Sequence, residues 1–177
     1  MIIMATRKKI RGKTSKAPAS PGDPLVDRLE ARKQRIHELL EAKDIEQVLE
    51  LIKQPENAKI VASFLSGAKG LVQINAVWAL GKAARNEGTR DAVLEILKDT
   101  LSDENSGRNA TWALTNAAKY GDPKTREEIV STVMAFMNSE YFKGEANHNS
   151  GAYTEMVRRA NEIIGAIDRA ERAEWRV

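Results

Sequence analysis

The sequence predicts an all-α protein, a short right-handed α-solenoid of about four stacked helical hairpins with a disordered basic N-terminal tail. Three observations predict this fold. From Asp23 onward apolar residues recur at helical spacing, and no stretch alternates as a strand does. Two helix-like segments, one around Trp78 and one around Trp112, repeat each other. The segment before Asp23 differs sharply in composition from the remainder.

Residues 1–22 form a strongly basic segment without an acidic residue. Their composition, rich in Lys, Arg, Ser, Pro and Gly, buries too little apolar surface to offset the entropy of ordering, so we expect disorder. Such tails often neutralise phosphates of nucleic acid; the alternative is a solvated tail that aids solubility. The predicted polyanion-binding residues are Arg7, Lys8, Lys9, Arg11, Lys13 and Lys16.

Residues 23–177 are predicted to form one helical repeat domain of about eight helices. Asp23 before Pro24 is a typical helix start, and Asp122 before Pro123 is another. Glycines and polar turn residues separate the helices, and an irregular stretch is expected at about 139–151. The predicted hairpins cover residues 24–53, 55–86, 88–120 and 122–174.

The internal repeat consists of "INAVWALGKAAR" (residues 74–85) and "RNATWALTNAAK" (residues 108–119). It aligns Trp78 with Trp112 and places alanines at equivalent positions. A period in the thirties built from two helices is typical of α-solenoids, in which a hairpin buries its apolar face only against its neighbour. Small alanines on the second helix allow adjacent hairpins to approach closely.

The longer segments "AVWALGKAARNEGTRDAVL" and "ATWALTNAAKYGD" resemble the third helices of armadillo repeats, notably in importin alpha. In those repeats a Trp and an Asn four residues later line the inner groove. Trp112 and Asn116 match that pattern, whereas Lys82 stands where an Asn would follow Trp78. The resemblance to the HEAT/armadillo-type family implies a solenoid that binds extended segments along its inner face; it does not imply nuclear import. The spacing from Trp78 to Trp112 suits two-helix, HEAT-like units.

Helical geometry groups the candidate binding residues. At about 100° per residue, the first tryptophan and the two cations after it lie opposite the apolar stripe of their helix, and the second copy repeats this arrangement. A tryptophan placed there needs a partner, which is either a neighbouring hairpin or a ligand. The asparagines are candidates for ligand contact or for bridging the turns between repeats. The predicted partner-binding residues are Asn75, Trp78, Lys82, Arg85, Asn109, Trp112, Asn116 and Lys119.

No catalytic, metal, cofactor or small-molecule site is predicted. The chain has no cysteine, which excludes disulfides and cysteine-ligated metals. His37 and His148 are far apart and neither stands in a metal-ligand spacing. No apolar run approaches the roughly 20 residues that span a bilayer. We therefore expect a cytoplasmic protein without a membrane partner.

The sequence thus predicts a non-enzymatic adaptor, scaffold or accessory subunit that holds an extended or acidic protein segment within a larger complex. The alternative is a nucleic-acid or ribonucleoprotein-binding protein. Its tail would grip phosphates, and Lys82, Arg85, Lys119, Arg158 and Arg159 would line the inner face. Residues 23–177 carry more acidic than basic residues, because the tail holds six cations and the whole chain is only +3. This balance favours the adaptor.

Overall fold

The computed structural model describes residues 24–147 and 151–174, and the regular structure in these ranges is entirely helical. This confirms the all-α prediction for the described residues. The basic tail, predicted to be disordered, lies outside them. The helices are α1 Pro24–Glu41, α2 Ile45–Ile52, α3 Pro55–Gly67, α4 Leu71–Ala83, α5 Arg90–Leu101, α6 Gly107–Tyr120, α7 Pro123–Met137, α8 Glu140–Asn147 and α9 Gly151–Glu174.

Local capping explains where several helices begin. Pro55 and Pro123 occupy the first turns of α3 and α7, where a missing backbone donor costs nothing. The Asp122 carboxylate accepts a hydrogen bond from the Thr125 backbone N–H at 2.6 Å. Asp44 caps α2 in the same way. The helix pairs α1–α2, α3–α4 and α5–α6 lie within the first three predicted segments, although α4 ends about one turn earlier than expected.

The stretch predicted to be irregular contains an additional helix, α8. Ser139 precedes it, and the Ser139 hydroxyl accepts a hydrogen bond from the Phe142 backbone N–H at 3.2 Å. The Phe142 ring is buried edge-to-face against Phe136 and Tyr153, with ring centroids 5.5 and 5.3 Å away. An isolated helix of this length is marginal in water, so these aromatic contacts hold it. The expectation of an irregular connection was wrong because it overlooked this anchor.

The helices pack as two rows. Helices α3, α5 and α7 contact one another in succession, and so do α4, α6 and α9. Hairpin partners α3–α4 and α5–α6 join the rows, while α1 and α2 pack against α3 and α4 at one end. The core lies between the rows and includes the fully buried side chains Leu65, Leu80, Leu97, Leu114 and Ile163.

Small residues bring the two copies of the repeated helix into direct contact. A Cβ added to Gly81 in α4 would lie 2.9 Å from the Ala113 carbonyl oxygen and 3.3 Å from the Asn116 Cβ in α6. Residue 81 therefore lies beside residues 113–116, which is close to the offset of the sequence repeat. Packed helices lie about 8–10 Å apart, so equivalent side chains of α4 and α6 are neighbours.

A recurring polar contact fixes each helix of the α4–α6–α9 row against the preceding hairpin. In α4, the Asn75 side-chain amide donates to the Leu40 carbonyl at 2.7 Å. In α6, the Asn109 amide donates to the Leu65 carbonyl at 2.8 Å. In α9, the Arg159 guanidinium donates to the Leu101 carbonyl at 2.6 Å.

All three acceptors belong to the last turn of α1, α3 or α5, where helix carbonyls lack an intrahelical partner. We call these three contacts the carbonyl anchors. They align α9 with α6 by making Arg159 the structural equivalent of Asn109.

Candidate functional site

The two repeated tryptophans lie half-exposed on neighbouring helices. Trp78 in α4 is 45% exposed and Trp112 in α6 is 53% exposed. Packing within the described residues therefore covers only about half of each side chain, although a neighbouring hairpin was one of the two partners considered from sequence. An exposed pair of large aromatic side chains at equivalent positions is typical of a binding surface.

Further apolar residues extend this surface along α4. Leu71 and Ile74 are exposed and precede Trp78 at a helical spacing that puts all three on one side of α4. In α6, exposed Arg108 takes the position of Ile74, and exposed Lys119 lies beyond Trp112. We call the side of α4 and α6 that bears Trp78 and Trp112 the tryptophan face. Its α4 half is more apolar and its α6 half more basic.

The structure removes two residues from the predicted set. Asn75 is 4% exposed, and its amide is committed to the Leu40 carbonyl. Asn109 is half-buried and committed to the Leu65 carbonyl. Both therefore serve the carbonyl anchors instead of contacting a partner. The bridging role considered from sequence describes them better, because a buried amide that lost its acceptor would be destabilising.

Two predicted cations also contact the fold. The Lys82 ammonium forms an ion pair with the Glu46 carboxylate of α2. Both groups are exposed, so the pair contributes at most about 1 kcal/mol and an acidic ligand can compete for the cation. Arg85 is half-buried in the turn after α4, and its guanidinium carbon lies 5.7 Å from the Tyr120 ring centroid. The Arg85 Nε is buried without a hydrogen-bond partner among the described residues.

In the α6 copy, the polar side chains after Trp112 have no hydrogen-bond or ion-pair partner among the described residues. Lys119 is exposed, its ammonium lies 4.9 Å from the Tyr120 ring centroid, and it makes no ion pair with a described acidic residue. Asn116 is half-buried near Gly81, and its amide forms no hydrogen bond within the described ranges. Tyr120, which is 51% exposed, thus lies close to two cations from successive repeats.

Sequence reasoning missed Arg169 in α9. The alignment of α9 with α6 puts Arg169 at the position of Lys119, and both side chains border a groove of about 750 Å³. Alanines of α9, including Ala166 and Ala170, contribute to its lining. Arg169 is exposed and unpaired with any described acid. The sequence alone does not reveal this third copy. Helix α8 lengthens the sequence spacing between the equivalent positions of α6 and α9, and α9 has no tryptophan at the position of Trp112.

The two arginines that the alternative function placed on the inner face are tied to acids and carbonyls. Arg159 is buried as the third carbonyl anchor. Arg158 forms ion pairs with Glu155 at 2.7 Å and Glu162 at 2.9 Å. The hydrogen bond from Arg158 is the main reason that the pKa of Glu155 falls to about 2, with Arg159 adding to it and burial opposing it.

Buried Arg126 at the start of α7 likewise serves the fold. It donates to the Gly121 carbonyl at 2.8 Å and pairs with Glu174 at 2.5 Å. Arg90 occupies the same place in α5 and pairs with Glu128 at 3.2 Å. Each arginine therefore links one repeat to a carboxylate of a later helix.

The remaining candidates contribute no chemistry in the described ranges. His37 packs edge-to-face on Phe64, with ring centroids 5.7 Å apart, whereas His148 and the basic tail lie outside the description. Among residues 24–147 and 151–174, no group of three His, Asp or Glu side chains is placed to hold a metal ion. In the same ranges, no helix is both long and apolar enough to cross a bilayer.

Comparison with known proteins leaves the site to be interpreted from its own geometry. No protein-family model matches the chain, and neither a curated protein nor a solved structure is significantly similar to it.

Proposed function

We propose that this protein is a non-catalytic adaptor, scaffold or accessory subunit. It holds an extended or acidic segment of a partner protein within a larger cytoplasmic complex. In this proposal the two helix rows are a short right-handed HEAT/armadillo-like solenoid, and the tryptophan face is its inner, ligand-binding side. The observation that carries the proposal is the half-exposure of Trp78 and Trp112 at equivalent positions on contacting helices.

The chemistry of this face supports a peptide ligand. Exposed aromatic residues supply large apolar contact area at a small cost in side-chain entropy, and tryptophan is enriched among interface hot spots. The open amide of Asn116 offers hydrogen bonds to a peptide backbone. Lys119 and Arg85 add positive charge beside the exposed Tyr120 ring.

Nucleic-acid binding remains the second candidate because of the six cations of the tail. The described part favours it less. Arg158 and Lys82 are ion-paired, and Arg159 is buried in the fold. Nuclease treatment separates the two functions, because a protein partner survives it and a nucleic-acid tether does not.

The test is substitution of Trp112 by Ala in the full-length protein. We expect it to weaken a nuclease-resistant protein partner by about 2 kcal/mol or more, as at an interface hot spot. The melting temperature should fall only modestly, because half of the side chain is already exposed. Affinity purification with quantified recovery, together with thermal unfolding of the same variant, measures both effects.

Met134→Ala provides the matched control. Met134 is 49% exposed but lies on α7 in the other row. Its substitution should leave partner binding unchanged. If Trp112→Ala instead destabilises the fold by about 3–5 kcal/mol, while its folded fraction binds normally, the tryptophans are packing residues and the proposal fails.

A further inference from the structure

Three cations occupy equivalent positions on the three helices of one row. They are Arg85 after α4, Lys119 in the last turn of α6 and Arg169 in α9. The sequence repeat relates the first two, and the alignment set by the carbonyl anchors relates the last two. We call this set the cation row.

The cation row borders a continuous path across the helices. Tyr120 connects its first two members, since Arg85 and Lys119 both lie over the Tyr120 ring. The groove of about 750 Å³ connects the last two, since Lys119 and Arg169 both line it above the alanines of α9. Trp78 and Trp112 lie two helical turns before Arg85 and Lys119 on α4 and α6, and neither is among the described residues that line the groove.

The charge along this path is unbalanced. Lys119 and Arg169 make no ion pair with a described acid, and the carboxylate that lines their groove, Glu174, is paired with Arg126. Arg85 lies over the Tyr120 ring and makes no such ion pair, although it shares a shallow cavity with Lys82, Glu46 and Glu50. Other arginines of the same helices, such as Arg158, are neutralised by neighbouring carboxylates. A ligand with carboxylates would therefore complement the row.

The spacing of the row specifies how those carboxylates are arranged. Packed helices generally lie about 8–10 Å apart, so we expect the backbone positions that carry successive cations to recur at about that distance. A polyproline II segment has three residues per turn and rises about 3.1 Å per residue. Every third side chain then lies on one side at a repeat of about 9 Å. Aromatic side chains are the usual partners of such a segment.

We propose that the cation row binds an acidic peptide segment in the polyproline II conformation, with one carboxylate at every third residue. Arg85, Lys119 and Arg169 each bind one carboxylate, and Trp78 and Trp112 cover the opposite side of the segment. This inference rests on the proposed function. To the proposed function it adds the spacing of carboxylates in the ligand, the participation of α9 in binding, and one specificity-determining residue, Arg169.

The test compares two synthetic peptides on the full-length protein by fluorescence anisotropy at low salt. One contains three Glu-Pro-Pro triplets; the other has the same composition with its glutamates adjacent. We expect the spaced peptide to bind about fivefold more tightly. Peptide charge is identical, and the basic tail is present in every variant below, so the comparison among variants separates the tail from the cation row.

Arg169→Gln should weaken the spaced peptide about fivefold and abolish the preference, and Lys119→Gln should act similarly. Lys59→Gln is the matched control, because Lys59 is an exposed cation on α3 in the other row. It should leave the preference intact. Melting temperatures of all three variants are measured alongside, which separates lost binding from lost folding.

Two results would overturn the inference. Equal affinity for the two peptides, with Arg169→Gln no different from Lys59→Gln, would mean that only overall charge matters. Tighter binding of single-stranded oligothymidylate than of the spaced peptide, sensitive to Arg169→Gln, would make the row a nucleic-acid site. If Trp112→Ala weakens both peptides but spacing has no effect, the proposed function stands and the spacing rule fails.

Discussion

Trp78 and Trp112 are exposed to a similar extent, but the polar groups that follow them have different surroundings. In the α4 copy, Lys82 is paired with Glu46 of α2, and Arg85 is half-buried. In the α6 copy, Asn116 and Lys119 are open, and Lys119 lines a groove toward α9. The packing positions of the repeat are therefore kept, while its polar positions have diverged. The difference indicates that the α6 copy is the more accessible half of the tryptophan face.

The direct approach of the two copies is tested by Gly81→Val. A side chain there meets the Ala113 backbone oxygen, so α4 and α6 must separate. We expect a loss of about 3 kcal/mol from overpacking, or roughly 10 °C in Tm. Gly67→Val is the control, because a Cβ at Gly67 meets nothing within 4 Å. Similar Tm values for the two variants would show that the copies are not in contact.

The carbonyl anchors of the two copies should differ in strength. Each acceptor carbonyl keeps a second donor, the Lys43 N–H for Leu40 and the Gln73 amide for Leu65, so the cost of losing an anchor depends mainly on the burial of the site. Asn75 is almost fully buried, whereas Asn109 is half-buried. We expect Asn75→Ala to cost about 2 kcal/mol and Asn109→Ala about 1 kcal/mol, measured by urea unfolding. If Asn109→Ala loses as much stability as Asn75→Ala, or more, then the deeper burial of Asn75 does not make its anchor the stronger one.

The third anchor should respond to pH, unlike the two formed by asparagine. Glu155 accepts hydrogen bonds from Arg158 and, at 3.2 Å, from Arg159 Nε. Mainly because of Arg158, with a smaller contribution from Arg159, its folded-state pKa of about 2 lies below its ordinary value of 4.5. A depressed carboxyl pKa stabilises the fold fully above pH 4.5, and this contribution is lost as the pH falls toward 2.

Because Glu155 is 38% exposed, screening limits the contribution to about 1 kcal/mol or less. Thermal unfolding between pH 5 and pH 2 should show a shallower loss of stability for Glu155→Gln than for the unsubstituted protein. Glu171→Gln, at an exposed position of the same helix, should keep the original slope. Parallel curves for all three proteins would show that the ion pairs of Glu155 with Arg158 and Arg159 add no pH-dependent stability.

Most of the helical architecture was predictable, because it depends on local signals. Pro55, Pro123 and the aspartates Asp23 and Asp122 mark boundaries, and the repeated tryptophans identify equivalent helices. Helix α8 was missed because its stability comes from the packing of Phe142 against Phe136 and Tyr153, and periodicity does not show such contacts.

The candidate site was less predictable because its polar groups are determined by distant partners. The exposure of the tryptophans agrees with their place opposite the apolar stripe. However, Lys82 meets Glu46 of another hairpin, and Asn109 meets Leu65 of another. A helical wheel places these side chains on a face but does not show which groups of another hairpin occupy that face.

The carbonyl anchors also have a consequence for how the chain folds. They join residues 35, 44 and 58 positions apart, always between a helix and the hairpin made just before it. In each anchor the acceptor precedes the donor in the chain, so the contact can form once the donor's own helix has been synthesised. During synthesis, α4 is able to dock on α1 before α6 has left the ribosome. Each docked hairpin then presents the carbonyl that positions the next one.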